Sequence, residues 1–163
     1  EILRCLVGSE MCIRDRLLED RLPITSITVM VQKEAAERLC AQPGTRECGA
    51  VSAAVQYYAE PEILFEVSRG SFMPAPNVDS AVIQLRIRKE PPVDVHDEAL
   101  FFRVIRAAFA QRRKTAVNSI SNTLHMSKQQ VTDAFEQAGV RANSRAEALT
   151  LPEFAAVVNQ LAD

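Results

Sequence analysis

Cysteine and histidine are scarce in this 163-residue chain, and badly placed for metal chemistry. The four cysteines, Cys5, Cys12, Cys40 and Cys48, form no CxxC pair, and His96 and His125 lie far from each other and from any cysteine. That spacing argues against a zinc site and makes no metal the expectation, with reduced thiols as in a cytoplasmic protein. Long apolar runs are missing too. None approaches the ~20 residues needed to span a bilayer, and no apolar stretch behind Arg4 reads as a signal peptide, so no membrane association is expected. Glycine occurs only five times and never as a GxGxG loop after a strand. Gly44 and Gly49 belong to a turn and a helix entry, and Gly70 stands alone.

Acidic residues are absent from one long window. The net charge is -2, yet from Ala99 to Thr132 there is no Asp or Glu, while Arg103, Arg106, Arg112, Arg113, Lys114 and Lys128 all fall there. The local field must be positive although the whole chain is not a polycation. Residues 1–16 (EILRCLVGSEMCIRDR) hold no helical or strand period and two of the cysteines. They read as a tract foreign to the rest of the chain, the competing reading being a short strand over Ile2–Val7. No functional residue is taken from them.

The remaining pattern divides at a stiff Glu90-Pro91-Pro92 linker. Before it lies an α/β unit. Leu17–Leu22 reads as the end of a helix. Ile24–Val31 is apolar on both faces, as in a buried parallel strand. Lys33–Ala41 is a helix, and Ala50–Tyr58, with apolar residues at helical spacing, is another. Glu62–Val67 and Asp79–Arg88 are strands, the second alternating apolar and polar residues like an edge or half-covered strand. After the linker the pattern is helical: Glu98–Gln111, Thr115–Leu124, and a third helix that starts at a Ser127/Gln130 capping box and stops at Gly139. Ser144/Glu147 and Thr150/Glu153 read as two further capping boxes.

Three groups of residues are candidates for chemistry. At ~100° per residue, Arg103, Arg106 and Arg113 share one side of the first C-terminal helix, but Arg112 would fall amid its apolar face. Either the helix ends near Gln111 or Arg112 meets a specific anion, since an unpaired buried guanidinium is very costly. The run Gln111-Arg112-Arg113-Lys114 then presents adjacent cations at a helix–helix corner, suited to phosphate. A solvated basic turn at a helix C-terminus is the plainer alternative. Second, Phe72-x-Pro74-x-Pro76 is a link whose prolines restrict both themselves and the residues before them. It can hold an aromatic ring against an unstacked base, or simply plug a core with Phe72. Third, Lys33 and Arg69 sit just past strand ends, where open α/β sheets bind ligands; as isolated charges, their plainer reading is solvation. Asp79 reads as a group that bonds local backbone.

Five strings, in order, resemble those of the ribosomal RNA adenine dimethyltransferases: MVQKEAAER from Met30, GAVSAAVQYY from Gly49, FMPAPNVDSAV from Phe72, AFAQRRKT from Ala108 and GVRANSRAEAL from Gly139. The resemblance covers Leu17 to the end and is nearest to the bacterial small-subunit type, which dimethylates two adjacent adenines near the 3′ end of 16S rRNA. It implies an α/β fold: the C-terminal part of a class I (Rossmann-like) methyltransferase sheet over 17–90, ending in an antiparallel pair, then a small all-α rRNA-binding domain over 95–163. It implies that Phe72 stacks on the target adenine. It also implies that Gln111, Arg112, Arg113 and Lys114 contact rRNA, with Arg103, Arg106, Lys33 and Arg69 as further candidates. The implied partner is 16S rRNA in an immature small ribosomal subunit, met by a monomer in the cytoplasm. The implied cofactor is S-adenosyl-L-methionine, but its glycine loop, its acidic ribose anchor and the Asn-Leu-Pro-Tyr-like motif that orients the target amine are all missing. A fragment unable to bind the donor or to methylate is therefore expected. Rival readings are a non-catalytic RNA-binding module, a methyltransferase of large-subunit rRNA, and a transcription factor on the same scaffold.

Overall fold

A computed structural model describes residues 23–162; the tract 1–16 and the expected helix end Leu17–Leu22 lie outside the described residues. The chain runs β1 (Ser26–Gln32), α1 (Lys33–Cys40), α2 (Ala50–Tyr58), β2 (Ala59–Val67), a 3-10 turn (Arg69–Ser71) and β3 (Ser80–Ile87). The helices α3 (Glu98–Phe109), α4 (Ala116–Leu124), α5 (Lys128–Gln137) and α6 (Leu151–Ala162) come next, with a second 3-10 turn at Ala146–Ala148 before α6.

The strands form a sheet in the order β1-β3-β2, with β3 antiparallel to both neighbours. β1 and β2 therefore run parallel, joined by the α1–α2 crossover that a parallel relation requires. Alternation places Ile27, Val31, Ala81, Ile83 and Leu85 on one face, where they pack on Ala36 and Leu39 of α1 and Val55 of α2. Two sequence expectations are corrected here. β1 is covered on one face only, since Ser26, Thr28 and Met30 are exposed on the other. β3 is half-covered as expected, but it is the central strand and not an edge. Its period of two reports one covered face and says nothing of how many strands flank it. β2 also starts earlier than expected and takes in Pro61, which an edge strand tolerates. The final antiparallel pair is the expected one, with a register shift between Ile63 and Phe65.

The second interior belongs to the helices. Phe101, Ile105, Ile120, Phe135, Phe154 and Val158 are at most 1% exposed and pack together. Ala53, Ala54 and Tyr57 of α2 join this cluster while Val55 faces the sheet. α2 is thus buried from Ser52 to Tyr57, as a helix apolar on nearly every side must be. Where it meets α3, the Tyr57 and Tyr58 hydroxyls donate to the two Glu98 carboxylate oxygens at 3.2 and 2.8 Å. The Tyr58 ring stacks on Phe102 at 5.3 Å. Replacing Glu98 with Ala is expected to lower unfolding free energy by about 1–2 kcal/mol through the two lost acceptors, with Gln in its place costing less. Urea denaturation of both variants checks the ranking.

Helix ends follow the side chains that close them. Asp97, Thr115 and Ser127 accept from the backbone N–H of Leu100, Asn118 and Gln130. Thr150 and Glu153 complete a reciprocal box. α5 ends at Gly139 with φ +69°. There the Val140 and Gly139 N–H groups return to the Phe135 and Glu136 carbonyls, a closure that favours glycine because the left-handed region is open to it. The expected Ser144/Glu147 box is not formed. The 3-10 turn is entered through Arg145 with no side-chain cap. The Ser144 carbonyl instead accepts the Ala116 N–H at 2.8 Å, so this segment is tied back to the start of α4.

Candidate nucleic-acid interface

The first site residues gather at the C-terminal ends of β1 and β2. The Asp79 carboxylate accepts the Arg69 N–H at 2.9 Å, and its carbonyl accepts the Lys33 N–H at 3.0 Å. The Arg69 guanidinium donates to the Asn77 carbonyl at 3.1 Å. The Asp79 side chain thus bonds backbone, but that of Arg69 ten residues earlier and not of its own neighbours, and closes the base of the Pro74–Pro76 link. Lys33 pairs with Glu66 at 2.8 Å, and the hydrogen bond and charge of Glu66 raise the lysine pKa above its ordinary value. Lys33 and Arg69 line a recess of about 380 Å³. Phe72 is half-buried and belongs to neither hydrophobic cluster. Neighbouring Met73 is 99% exposed.

The second group sits at the corner between α3 and α4. α3 ends at Phe109, which removes the conflict over Arg112: the chain leaves the helix before Arg112 could enter the apolar face. Residues 111–114 form a turn closed by the Lys114 N–H on the Gln111 carbonyl at 2.9 Å. Arg112, Arg113 and Lys114 are exposed and have no ion-pair partner among the described residues. Arg112 and Lys114 line a cleft of about 700 Å³ that runs across to α1 and the α1–α2 loop.

That cleft brings in three cations which the sequence reading did not single out: Arg38, Arg46 and Arg145. Arg38 pairs with Glu34 at 3.2 Å and Arg145 approaches Glu147 at 3.9 Å, whereas Arg46 has no such partner among the described residues. Each lies close to acids in the chain, so nothing in local charge pattern marked it. Glu34 and Glu37 line both recesses, so the link and the basic corner open onto adjoining surfaces. Arg113 lines neither recess, and Arg103 and Arg106, exposed on α3, are not brought into either. Burial pushes the thiol of Cys48, at the cleft wall, up to about 11, which disfavours the nucleophilic thiolate at neutral pH. No group of three or more potential metal ligands occurs among the described residues, and no described helix is long and apolar enough to cross a membrane.

Residues 8–163 match the family model described as ribosomal RNA adenine dimethylase. The chain belongs to that family. Among curated dimethylase relatives, a ribosomal RNA small subunit methyltransferase A of Geobacillus sp. (strain WCH70) is 51% identical over 149 residues, covering 90% of this chain and 51% of the relative. The Oceanobacillus iheyensis protein of the same name is 47% identical over 146 residues, covering 88% and 50%. The chain spans about half the length of the curated relatives it matches. Among solved structures, two share this chain's fold. A dimethyladenosine transferase from Plasmodium falciparum aligns with a TM-score of 0.68 at 19% identity, covering 93% of this chain and 61% of that one. The 23S rRNA methyltransferase ErmE aligns with a TM-score of 0.66 at 23% identity, covering 96% and 62%. The sheet and helices accordingly belong to the Rossmann-like class of rRNA methyltransferase folds.

Proposed function

We propose that this chain is the RNA-gripping half of an S-adenosylmethionine-dependent enzyme. That enzyme dimethylates two adjacent adenines near the 3′ end of 16S rRNA, in immature small subunits in the cytoplasm. Residues 17–90 supply the end of the catalytic sheet and 95–163 an rRNA-binding domain. The observation that supports this most is the cleft, whose lining joins Arg112, Lys114 and Arg46, each without an ion-pair partner among the described residues although Glu34, Glu37, Glu47 and Glu147 line it too. Unpaired exposed cations on two walls suit a phosphodiester backbone, and base-independent grip of that kind sets register without reading sequence. Phe72, outside both interiors and held on a proline-stiffened link, then stacks on an adenine taken out of its helix. Lys33 and Arg69 flank the same strand ends, Arg113 adds a phosphate contact beside Arg112, and Arg103 and Arg106 extend the positive field toward the approaching RNA.

The described residues do not fit the methyl donor. β1 passes directly from Gln32 into α1, and β2 ends at Val67 before the Ser68–Ser71 turn, so neither strand exit offers a glycine-rich loop. No chemical step is assigned to these residues for that reason. Their contribution is to hold the RNA and the target base still, which is how positioning lowers a barrier. Isothermal titration of the 163-residue chain with S-adenosylmethionine is expected to give no saturable heat, while the same preparation retains unmethylated small subunits on a pull-down. Saturable micromolar donor binding would overturn the division of labour, and failure to retain subunits would overturn the RNA role.

A further inference from the structure

The basic turn between α3 and α4 is tied at its start to one buried hydroxyl. Ser119 is 0% exposed and lies in α4 among Ala116, Val117 and Ile120, all of which pack into the helical interior. A hydroxyl in such surroundings is unfavourable unless it is fully bonded, and an alanine would pack there without that demand. The Ser119 Oγ donates to the Ala107 carbonyl at 2.6 Å and accepts the Gln111 N–H at 3.1 Å. Both partners belong to the chain as it leaves α3: one is a carbonyl in its last turn, the other the first residue of the cationic run. Gln111 is engaged further, its carbonyl by the Lys114 N–H at 2.9 Å and its amide oxygen by Asn122 at 3.4 Å. The far end of the turn is fixed by the Ala116 N–H on the Ser144 carbonyl at 2.8 Å.

We infer that Ser119 is a positioning residue for RNA binding: through Gln111 it holds the Arg112–Lys114 turn in its binding shape before any RNA arrives. The inference rests on the reading of this corner as a phosphate contact. A loop already ordered loses less entropy on binding than one that orders in the complex. Ser119 touches no ligand itself, and it carries no charge. Its loss therefore weakens affinity without changing how many counterions the RNA releases, whereas loss of an arginine changes both.

The test compares three variants of the 163-residue chain, binding a 3′-terminal small-subunit rRNA hairpin across a series of KCl concentrations. Ser119→Ala is expected to weaken binding by about tenfold, the scale of one lost hydrogen bond's ordering, with the slope of log affinity against log salt unchanged. Ser121→Ala serves as the control. Its hydroxyl donates to the Met126 carbonyl at 2.8 Å at the other end of the same helix, so it removes a comparable bond away from the turn, and affinity should hold. Arg112→Glu with Arg113→Glu lowers both affinity and slope. If that double reversal leaves binding unchanged, the RNA reading of the corner fails. If it weakens binding while Ser119→Ala does no more than Ser121→Ala, the positioning role of Ser119 fails alone. Amide hydrogen exchange on the unmodified protein decides the matter independently of any variant's folding. The Gln111 and Lys114 amides should be protected in the free protein and gain little on adding RNA, and protection that arises only with RNA overturns the inference.

Discussion

Reversing Arg112 and Arg113 together to glutamate should weaken binding to small-subunit rRNA by about 100-fold at moderate salt, while leaving the fold in place. The size comes from counterion release. Each phosphate contact contributes roughly 0.7–0.9 to the slope of log affinity against log salt, so two lost contacts flatten that slope by about 1.5. The two new carboxylates also repel the backbone that the guanidinium groups had gripped. Stability should change by no more than ~0.5 kcal/mol, as for other surface substitutions, because both guanidinium groups are exposed and unpaired among the described residues. Filter binding at several KCl concentrations, alongside a thermal melt, separates the two quantities. A slope that does not move would show that the phosphates are held elsewhere.

Phe72→Ala carries the other large effect, and it distinguishes an enzyme from a module that merely holds RNA. Stacking of a base on an aromatic ring is worth about 1–3 kcal/mol, so affinity for RNA presenting an unpaired adenine should fall between about 5- and 150-fold. Methylation by the complete enzyme should fall at least as far. The plainer explanation of that residue predicts a different outcome. A phenylalanine plugging a core costs about 3–5 kcal/mol of stability when truncated, but Phe72 is half-buried and outside both interiors. The melting temperature should therefore barely shift, and Phe72→Trp should retain most of the binding. Unchanged RNA affinity in Phe72→Ala would favour a non-catalytic RNA-binding module, since such a module has no use for an aromatic ring at that link.

What was legible in the chain was what local physics decides. Helix α2 was readable at both ends because apolar residues recur at helical spacing with few β-branched neighbours. The caps at Ser127 and Thr150 were readable because a hydroxyl followed three residues later by Gln or Glu is the pattern of a reciprocal cap, whereas Thr115, read as the first helical residue, proved to be the cap of α4. The end of α3 was readable as a conflict: Arg112 could not continue the helix without burying its charge, and the chain resolves this by turning at Ala110.

What was not legible came from contacts distant in sequence. Alternation along β3 shows how many of its faces are covered, and its central place depends on β1, which lies some fifty residues upstream. Ser144 and Glu147 have the residue types of a capping box, but the turn is entered one residue later, through Arg145, and the Ser144 carbonyl is tied to the distant Ala116, which no local rule anticipates. Arg38, Arg46 and Arg145 become a set only when the α1–α2 loop comes to face the turn before α6. The cationic run itself was visible because its members are adjacent. The opposing wall of the cleft was invisible because its members are scattered.

Helix α2 is a wall common to two interiors, with one side against the sheet and the other against Phe101 and its neighbours. Such a beam leaves little play between the parts it joins: swinging one relative to the other would tear open an apolar interior instead of bending a hinge. The gap beside it behaves as a gauge of set width. Under the RNA reading proposed above, the nucleic acid that enters this gap adapts to the protein, not the protein to it.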